Sequence, residues 1–207
     1  MSTKQRRKRD REAMRRRILD AAKSLFVRKG FDNVSMRGIA TAIEYSPAAL
    51  YRYFRNKREI LTVLREEGFE RIVEAQREGE EQIPDPLERL REGGRGYIRF
   101  ALHEPEYYHL MFCTGCHEVN LEGACASNSM ESFNLFGRTV TECVDAGCFG
   151  NVPVEAAIFA LWSALHGLAN LVHTGRVAIL SADKDFDRLL EGILAFSLRG
   201  ATPHPAK

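Results

Sequence analysis

Two cysteines and a histidine stand close together in the middle of the chain, where residues 113 to 117 read CTGCH. The spacing matches a c-type haem attachment site, half of a zinc site, or a thiol pair that oxidises reversibly. Haem attachment belongs to export compartments, and the N-terminus predicts no secretory signal. Zinc would need a fourth ligand such as His109 or Cys125. We expect no cofactor or metal, and keep as the alternative function a cysteine-based redox or metal sensor using Cys113, Cys116 and His117.

The rest of the chain offers little further chemistry of a catalytic kind. No nucleophile–base pair, phosphate-binding loop or pair of carboxylates stands out, so the sequence predicts that the protein is not an enzyme. No apolar run predicts a membrane span, and the odd number of cysteines argues against a disulfide framework. We therefore expect a cytoplasmic protein with reduced thiols.

The charges of the 207 residues are divided unevenly along the chain, although the net charge is only +2. Residues 1–58 hold 17 Lys and Arg against 5 Asp and Glu, whereas residues 59–207 hold 13 against 23. A basic head on an acidic body predicts a head that binds a polyanion, with a solvated charged tail as the competing interpretation.

Apolar residues recur mostly at intervals of three and four, which predicts an all-α chain of about nine helices. The first helix should end near Lys29 with Gly30 as C-cap, and an Asn56–Glu59 capping box should open a long helix to about Glu80. Ser35 and Ser46 should cap two short helices between them. The predicted buried side comprises Ile18, Ala22, Leu25, Phe26, Met36, Ile39, Ala40 and Ile43. Further helices are predicted over residues 87–102, 104–112, 127–147, 153–174 and 183–199.

The two short helices, packed on the first one, predict a helix-turn-helix unit. In the second of them Leu50 and Phe54 lie four residues apart and should face the core. Ala48, Arg52 and Arg55 should point outward, with Ala49 and Tyr51 beside them. Small residues let a helix approach a groove floor, and arginine can form paired hydrogen bonds with guanine. This outward face predicts a DNA-binding surface.

The stretch from about residue 15 to 61 contains ILDAA, LF, KGF, SMRGIA and SPAALYRYFRNK. It resembles the N-terminal domain of the TetR (tetracycline-repressor-like) family of bacterial transcriptional regulators. The resemblance implies a homodimer that binds a palindromic, double-stranded operator, acts most often as a repressor, and releases DNA when a small molecule enters the C-terminal domain. The DNA-binding residues that it implies are Ser35, Arg37, Pro47, Ala48, Ala49, Tyr51, Arg52, Tyr53 and Lys57.

The chain departs from the family pattern in two places. The turn before the recognition helix usually has a glycine, and here it reads IEYS, so Glu44 or Tyr45 should adopt an unusual backbone at a cost of about 1 kcal/mol. Tyr53 stands where the family often has histidine. Residues 4–17 also carry nine Lys and Arg, which predicts an arm that is disordered when free and that contacts phosphates or a minor groove when bound.

The last two predicted helices are apolar on two faces each, so one face can serve the subunit's own core and the other a partner. We expect a four-helix dimer interface, with a thicker monomer core as the alternative. The stretch LWSALHGLANL, with Trp162, His166 and Gly167, and the stretch PEYYHLMF resemble a W…HG subgroup of the same family.

A ligand cavity is predicted in the body from aromatic residues with polar tips, a mixture that suits a small, mainly apolar or aromatic ligand. Its predicted lining comprises Tyr97, Phe100, Tyr108, Met111, Phe112, Phe133, Phe136, Trp162 and His166. The predicted organisation is thus a basic arm (1–12), a helix-turn-helix domain (13–58), a helical ligand-binding and dimerisation domain (59–200) and a tail (201–207).

Overall fold

The computed structural model describes residues 2–113, 127–177 and 186–199. These ranges contain nine α-helices and no strand, which confirms the predicted all-α class. The helices are α1 (Thr3–Lys29), α2 (Met36–Ala42), α3 (Pro47–Leu50), α4 (Lys57–Gln82), α5 (Pro86–His103), α6 (Pro105–Tyr108), α7 (Ser127–Asp145), α8 (Val154–His173) and α9 (Phe186–Arg199). A π-helical turn, His109–Cys113, continues α6.

The chain divides into two compact units, and the boundary falls inside α4 after Gly68. The first unit combines the N-terminal residues up to Gly68 with the segment from Glu106 to Ala126. The second unit combines Phe69–Pro105 with the residues from Ser127 onward. The segment after α5 therefore belongs with the basic head, although the sequence predicts it as part of the body.

The first unit forms around one apolar face of α1. Ile18, Ala22 and Phe26 are all at most 1% exposed. The predicted C-cap is confirmed, because Gly30 has φ 78° and its N–H donates to the carbonyl of Phe26 at 2.9 Å. The buried residues contributed by the helix-turn-helix and the start of α4 are Met36, Ile39, Ala40, Ile43, Leu50, Phe54, Ile60, Leu61 and Leu64.

The segment Glu106–Cys113 is bound to the head by polar contacts. The Tyr107 hydroxyl donates to Glu67 at 2.9 Å, and Arg16 of α1 donates two hydrogen bonds to the same carboxylate. Arg65 Nε donates to the Leu110 carbonyl at 2.8 Å. This close approach favours a glycine at position 68, because a Cβ there would clash with the Met111 side chain.

The second unit packs α5 between α7, α8 and α9. Its core cluster joins Leu90, Val140, Cys143, Phe149, Ala157 and Leu161, all buried. Gly94 of α5 allows the helices to approach closely, because a Cβ would lie 2.9 Å from Leu194 and 3.2 Å from Leu165. Arg95 ties α5 to α9 through a two-pronged ion pair with Glu191.

Helices α8 and α9 bury only one of their two apolar faces within the described chain. Leu168 and Leu190 are buried, whereas Phe159, Leu171 and Phe196 are 56%, 37% and 80% exposed. Among the described residues α8 is the one helix long and apolar enough to cross a membrane by length and composition. That is weak grounds for a membrane span, because helices that pack inside proteins pass the same test.

The described residues of the basic arm are helical, whereas the disorder of the free arm stays a prediction. Helix α1 begins at Thr3, and Ser2 and Gln5 close a reciprocal capping box at its start. Ion pairs one turn apart, Arg6 with Asp10 and Lys8 with Glu12, lie along the exposed surface. Such pairs stabilise a helix by about 0.2–0.5 kcal/mol each.

Candidate DNA-binding surface and ligand-binding body

The recognition segment runs from Pro47 to Phe54 and begins at a serine cap. Ser46 Oγ accepts from the Ala49 N–H at 3.2 Å, and Pro47 occupies the first helical position, as predicted. Beyond α3 the helical path continues as a turn, in which the Tyr53 and Phe54 N–H groups donate to the Leu50 carbonyl. Leu50 and Phe54, each 1% exposed, fix this segment against the core.

The opposite side of the segment faces solvent. Pro47, Ala48 and Arg52 are exposed, Tyr51 is 54% exposed, and Ala49 and Tyr53 are half-buried. The surface therefore offers small residues for close approach, one guanidinium for base edges and two phenols for phosphate oxygens. The structure brings these six predicted residues together on one short stretch.

Ser35 and Arg37 lie at the start of α2. Ser35 Oγ accepts from the Gly38 N–H at 3.1 Å, so its predicted capping role is confirmed, and its hydroxyl proton remains a donor for a phosphate. Arg37 is exposed.

The tight turn between α2 and the recognition segment ends α2 with a Schellman motif. The Tyr45 N–H donates to Ala40 at 2.9 Å and the Glu44 N–H to Thr41 at 3.1 Å. Glu44 has φ 60°, the left-handed conformation that glycine adopts most easily, so the unusual backbone predicted for Glu44 or Tyr45 is confirmed and lies at Glu44. Arg17 supports the turn by donating to the Ile43 carbonyl at 3.0 Å.

We expect Glu44→Gly to raise the free energy of unfolding by about 0.5–1 kcal/mol, because glycine removes the Cβ clash of the left-handed conformation. Urea denaturation measures the change. Ala42→Gly, two residues earlier inside the helix, is the matched control and should lower stability by about 1 kcal/mol. A loss of stability in Glu44→Gly would contradict the conformation of this turn.

Lys57 is held internally, a contact that the sequence did not predict. Its ammonium donates to the carbonyls of Phe31 at 2.7 Å and Asp32 at 3.2 Å, and it lies 4.4 Å from the centre of the Phe31 ring. An ammonium has three protons, so a phosphate contact can use the third. Lys57 thus closes the loop between α1 and α2, and a substitution there would change stability as well as charge.

Arg15 is a further residue of this surface that the sequence reasoning missed. Its guanidinium lies 4.3 Å from the centre of the Phe54 ring and donates to the Tyr53 carbonyl at 3.4 Å. It therefore holds the end of the recognition segment. Its position three residues before Ile18 on the apolar face of α1 is the signal that marks it.

In the second unit, four of the predicted ligand residues form a connected row. The Tyr97 hydroxyl lies 2.9 Å from His166 Nδ1, the His166 and Trp162 rings are 5.7 Å apart, and Trp162 meets Phe133 edge-on at 5.9 Å. Phe159 adds a further aromatic contact to both Phe133 and Trp162. Such a row offers apolar surface with one polar end.

The remaining predicted ligand residues are distributed differently. Phe136 packs against the core cluster of the second unit, and Phe100 is half-buried there. Tyr108, Met111 and Phe112 lie in the first unit, where Tyr108 is fully buried against Phe112 at 5.1 Å. The nine-residue cavity therefore stays a prediction, and its best-defined part is the row from Tyr97 to Phe133.

We expect the stability of the protein to fall on acidification partly because of His166. Burial lowers the pKa of its imidazole below the usual value. The unfolded chain then binds the proton at a higher pH than the folded chain. This contribution to the free energy of unfolding is therefore complete above about pH 6.5 and declines as the pH falls below it.

Urea denaturation of wild type and His166→Gln between about pH 8 and about pH 5 measures this contribution, and the variant should show the shallower decline. Equal pH dependence in the two proteins would contradict a buried imidazole at this site.

Of the CTGCH stretch, only Cys113 lies within the described residues, whereas Cys116 and His117 lie outside them, as does Cys125. Cys113 is exposed as a whole residue, and partial burial of its sulfur raises the pKa of the thiol. Less thiolate is then present at neutral pH than for a free cysteine, and the thiolate is the reactive form. The cysteine-based redox or metal sensor stays an alternative prediction.

Two family models match the chain. One, described as "Bacterial regulatory proteins, tetR family", matches residues 18–64, which include the whole helix-turn-helix. The other, described as "Tetracyclin repressor-like, C-terminal domain", matches residues 90–196, more than half of the chain. The chain belongs to the TetR family. It is therefore a DNA-binding transcriptional regulator and not an enzyme, as predicted.

The names of two relatives of this TetR-family regulator describe one as an activator and the other as a repressor. It is 28% identical over 102 residues to the HTH-type transcriptional activator FasR of Mycolicibacterium smegmatis, covering 49% of this chain and 47% of FasR. It is 38% identical over 68 residues to the HTH-type transcriptional repressor Rv1474c of Mycobacterium tuberculosis, covering 32% of this chain and 36% of that one. The matches thus span less than half the length of these relatives.

The fold of the regulator is similar to a solved structure over nearly the whole chain. A solved structure of a protein of unknown function from Rhodococcus sp. RHA1 matches it with a TM-score of 0.73 at 27% identity, covering 90% of this chain and 94% of the other. The W…HG subgroup of the C-terminal domain stays a prediction.

Proposed function

We propose that this TetR-family regulator is a cytoplasmic repressor that binds a palindromic operator as a homodimer. A small, mainly apolar ligand in the C-terminal body then releases it. The observation that carries the proposal is the outward face of the recognition segment, where Tyr51 and Arg52 are exposed while Leu50 and Phe54 on the opposite side are buried in the core.

On the operator, Arg52 reads a base edge, and Pro47, Ala48 and Ala49 let the backbone approach the groove floor. Tyr51 and Tyr53 donate to phosphates on one side of the groove, and Ser35 and Lys57 do so on the other. Arg37 lies near the groove. This assignment follows the exposure of each residue, with Lys57 using the proton that its two carbonyl contacts leave over.

The dimer is supported by the apolar surface that α8 and α9 leave uncovered. Phe159 and Leu171 on α8 and Phe196 on α9 are exposed in the single chain. Between them α8 presents Ala156, Ala160, Ser163 and Gly167, whose small side chains allow a second helix to approach closely. Two such helices from each subunit make the proposed four-helix interface.

The ligand site is supported by the row Tyr97, His166, Trp162 and Phe133. Its aromatic faces suit an apolar or aromatic molecule, and the imidazole and phenol can bind one polar group of that molecule. Helix α5, which carries Tyr97, leads directly into the segment Glu106–Cys113. Because that segment is bonded to Glu67 and Arg65 in the head, a ligand that shifts α5 pulls on the DNA-binding unit through the chain itself.

The single tryptophan of the chain allows a direct test of this site. A panel of apolar and aromatic compounds is titrated while Trp162 fluorescence and operator binding are followed together. An effector should change the fluorescence and lower operator affinity at the same concentration, and Trp162→Phe should keep the DNA response while losing the optical signal. A compound that releases DNA without any change at Trp162 would contradict this site.

A further inference from the structure

Residues 3–13 extend α1 beyond the core of the head. The apolar face of α1 ends at Ile18, and residues 2–13 are all exposed. Helix α1 nevertheless runs without a break from Thr3 to Lys29. From residue 4 to residue 15 the extension measures about 16 Å at 1.5 Å per residue.

The charges of this extension are sorted by helix face. Its basic residues at positions 4, 7, 8, 11 and 15 recur at intervals of three, one, three and four, which places them on one side of the helix. They are Lys4, Arg7, Lys8, Arg11 and Arg15. The series continues directly into the buried residues at positions 18, 19, 22, 25 and 26. This basic stripe is therefore the continuation of the face that packs against the helix-turn-helix.

The acidic residues of the extension leave most of the stripe uncompensated. Asp10 pairs with Arg6 and Arg9, which lie on the opposite side, and Glu12 pairs with Lys8. Within the described residues no ion pair joins Lys4, Arg7 or Arg11 to an acidic group. Moreover, the first turn of α1 contains no acidic residue, so Lys4 of the stripe lies at the positive end of the helix dipole without a compensating carboxylate in that turn. A polyanion along the stripe relieves this repulsion.

The stripe begins at the recognition segment. Arg15, its last member, touches the Phe54 ring and the Tyr53 carbonyl at the end of that segment. The other four members of the stripe follow Arg15 on the same face of α1. The stripe therefore starts next to the proposed DNA-binding residues of the recognition segment and runs away from them toward the N-terminus.

We propose that residues 4–15 bind DNA as a rigid helix whose basic stripe follows the phosphates next to the groove read by the recognition segment. The surface adds affinity without base preference, because phosphate contacts position a protein and carry no sequence information. The proposal requires only that the regulator binds DNA, and it is independent of the operator sequence and of the ligand.

The test measures the salt dependence of binding to a 30-base-pair duplex of mixed sequence, with the full chain and its variants. Arg7→Gln with Arg11→Gln removes two charges from the stripe and should lower the slope of log K against log[salt] by about two units for each bound arm. The matched control, Arg6→Gln with Arg9→Gln, removes two charges from the other face and should lower it by less than half as much. Equal losses in the two pairs, or none in either, would overturn the proposal.

A second variant separates a helical arm from a flexible one. Ala13→Pro keeps every charge and breaks α1 before the core, at a residue that points away from the stripe. We expect it to lower the salt slope about as much as the loss of the two stripe arginines, with an unchanged melting temperature for the rest of the chain. An unchanged slope would show that the arm binds as a flexible tail and would overturn the helical form.

The preference for operator DNA over mixed-sequence DNA is measured separately, so that the proposal for the arm and the proposal for the recognition segment can be disproved independently. Arg52→Ala should keep the salt slope on mixed-sequence DNA while losing preference for the operator. The stripe variants should keep that preference while losing slope. If the stripe variants lost the preference instead, the stripe would read bases and the proposal would be wrong.

Discussion

Phe54→Ala should unfold the DNA-binding head. The ring is 1% exposed and lies under the Arg15 guanidinium at 4.3 Å, so its removal leaves a cavity and frees the end of the recognition segment. Deleting a buried phenylalanine side chain costs about 3–5 kcal/mol, which is a large part of the stability of a domain of this size. Chemical denaturation followed by circular dichroism measures the loss, and DNA binding should disappear with it.

Tyr51, three residues earlier, provides the control for this prediction. Its ring is 54% exposed, so Tyr51→Ala should change the free energy of unfolding by no more than about 0.5 kcal/mol while weakening DNA binding. The two variants therefore separate folding from binding on one short segment. If Phe54→Ala were as stable as wild type, or if Tyr51→Ala lost much of its free energy of unfolding, the orientation described for the recognition segment would be wrong.

Gly167→Leu should dissociate the dimer. In the single chain nothing lies within 4 Å of a Cβ at this position, and leucine favours a helix over glycine, so the subunit itself has no reason to lose stability. In the proposed interface the added side chain meets the partner's α8. Overpacking costs about 1–3 kcal/mol for each side chain and occurs twice in a symmetric dimer, so the dissociation constant should rise at least about 30-fold.

Gly93→Leu is the matched control, because Gly93 is also exposed in the middle of a helix with open space around a Cβ. Sedimentation equilibrium should find Gly93→Leu dimeric and Gly167→Leu largely monomeric at the same concentration. Operator affinity should fall with dissociation, since one subunit then contacts one half-site. If Gly167→Leu remained dimeric, α8 would lie outside the interface.

The features of the fold that the sequence predicts well are interactions between residues close together in the chain. Ser35, Ser46 and Asn56 cap helices because their side chains reach an N–H three residues on, and each bond is present. The missing glycine predicted a left-handed residue at Glu44 or Tyr45, because such a turn is set by the local motif and not by distant contacts, and the structure has it at Glu44. Even here a detail differs: the Glu59 carboxylate accepts from the Arg55 N–H, one residue before the predicted partner.

The parts that sequence could not predict depend on contacts between distant residues. The ammonium of Lys57 bonds to carbonyls 25 and 26 residues away, and nothing near position 57 signals that loop. The segment with Tyr108 and Met111 joins the head through Glu67, Arg65 and Gly68, although its aromatic residues read as part of the body. Periodicity identifies which face of such a segment is buried, but not which helices bury it.

The central claim is that the outward face of residues 47–53 reads an operator, and a competition experiment tests it most directly. Labelled DNA from the region flanking the coding sequence is displaced by unlabelled flanking DNA or by a scrambled duplex, for wild type and Arg52→Ala. Wild type should prefer the flanking DNA at least about 1,000-fold. Arg52→Ala should lose about 1–3 kcal/mol of that preference while its affinity for the scrambled duplex changes little. Equal preference in the two proteins would contradict the assignment of Arg52 and of the surface that it belongs to.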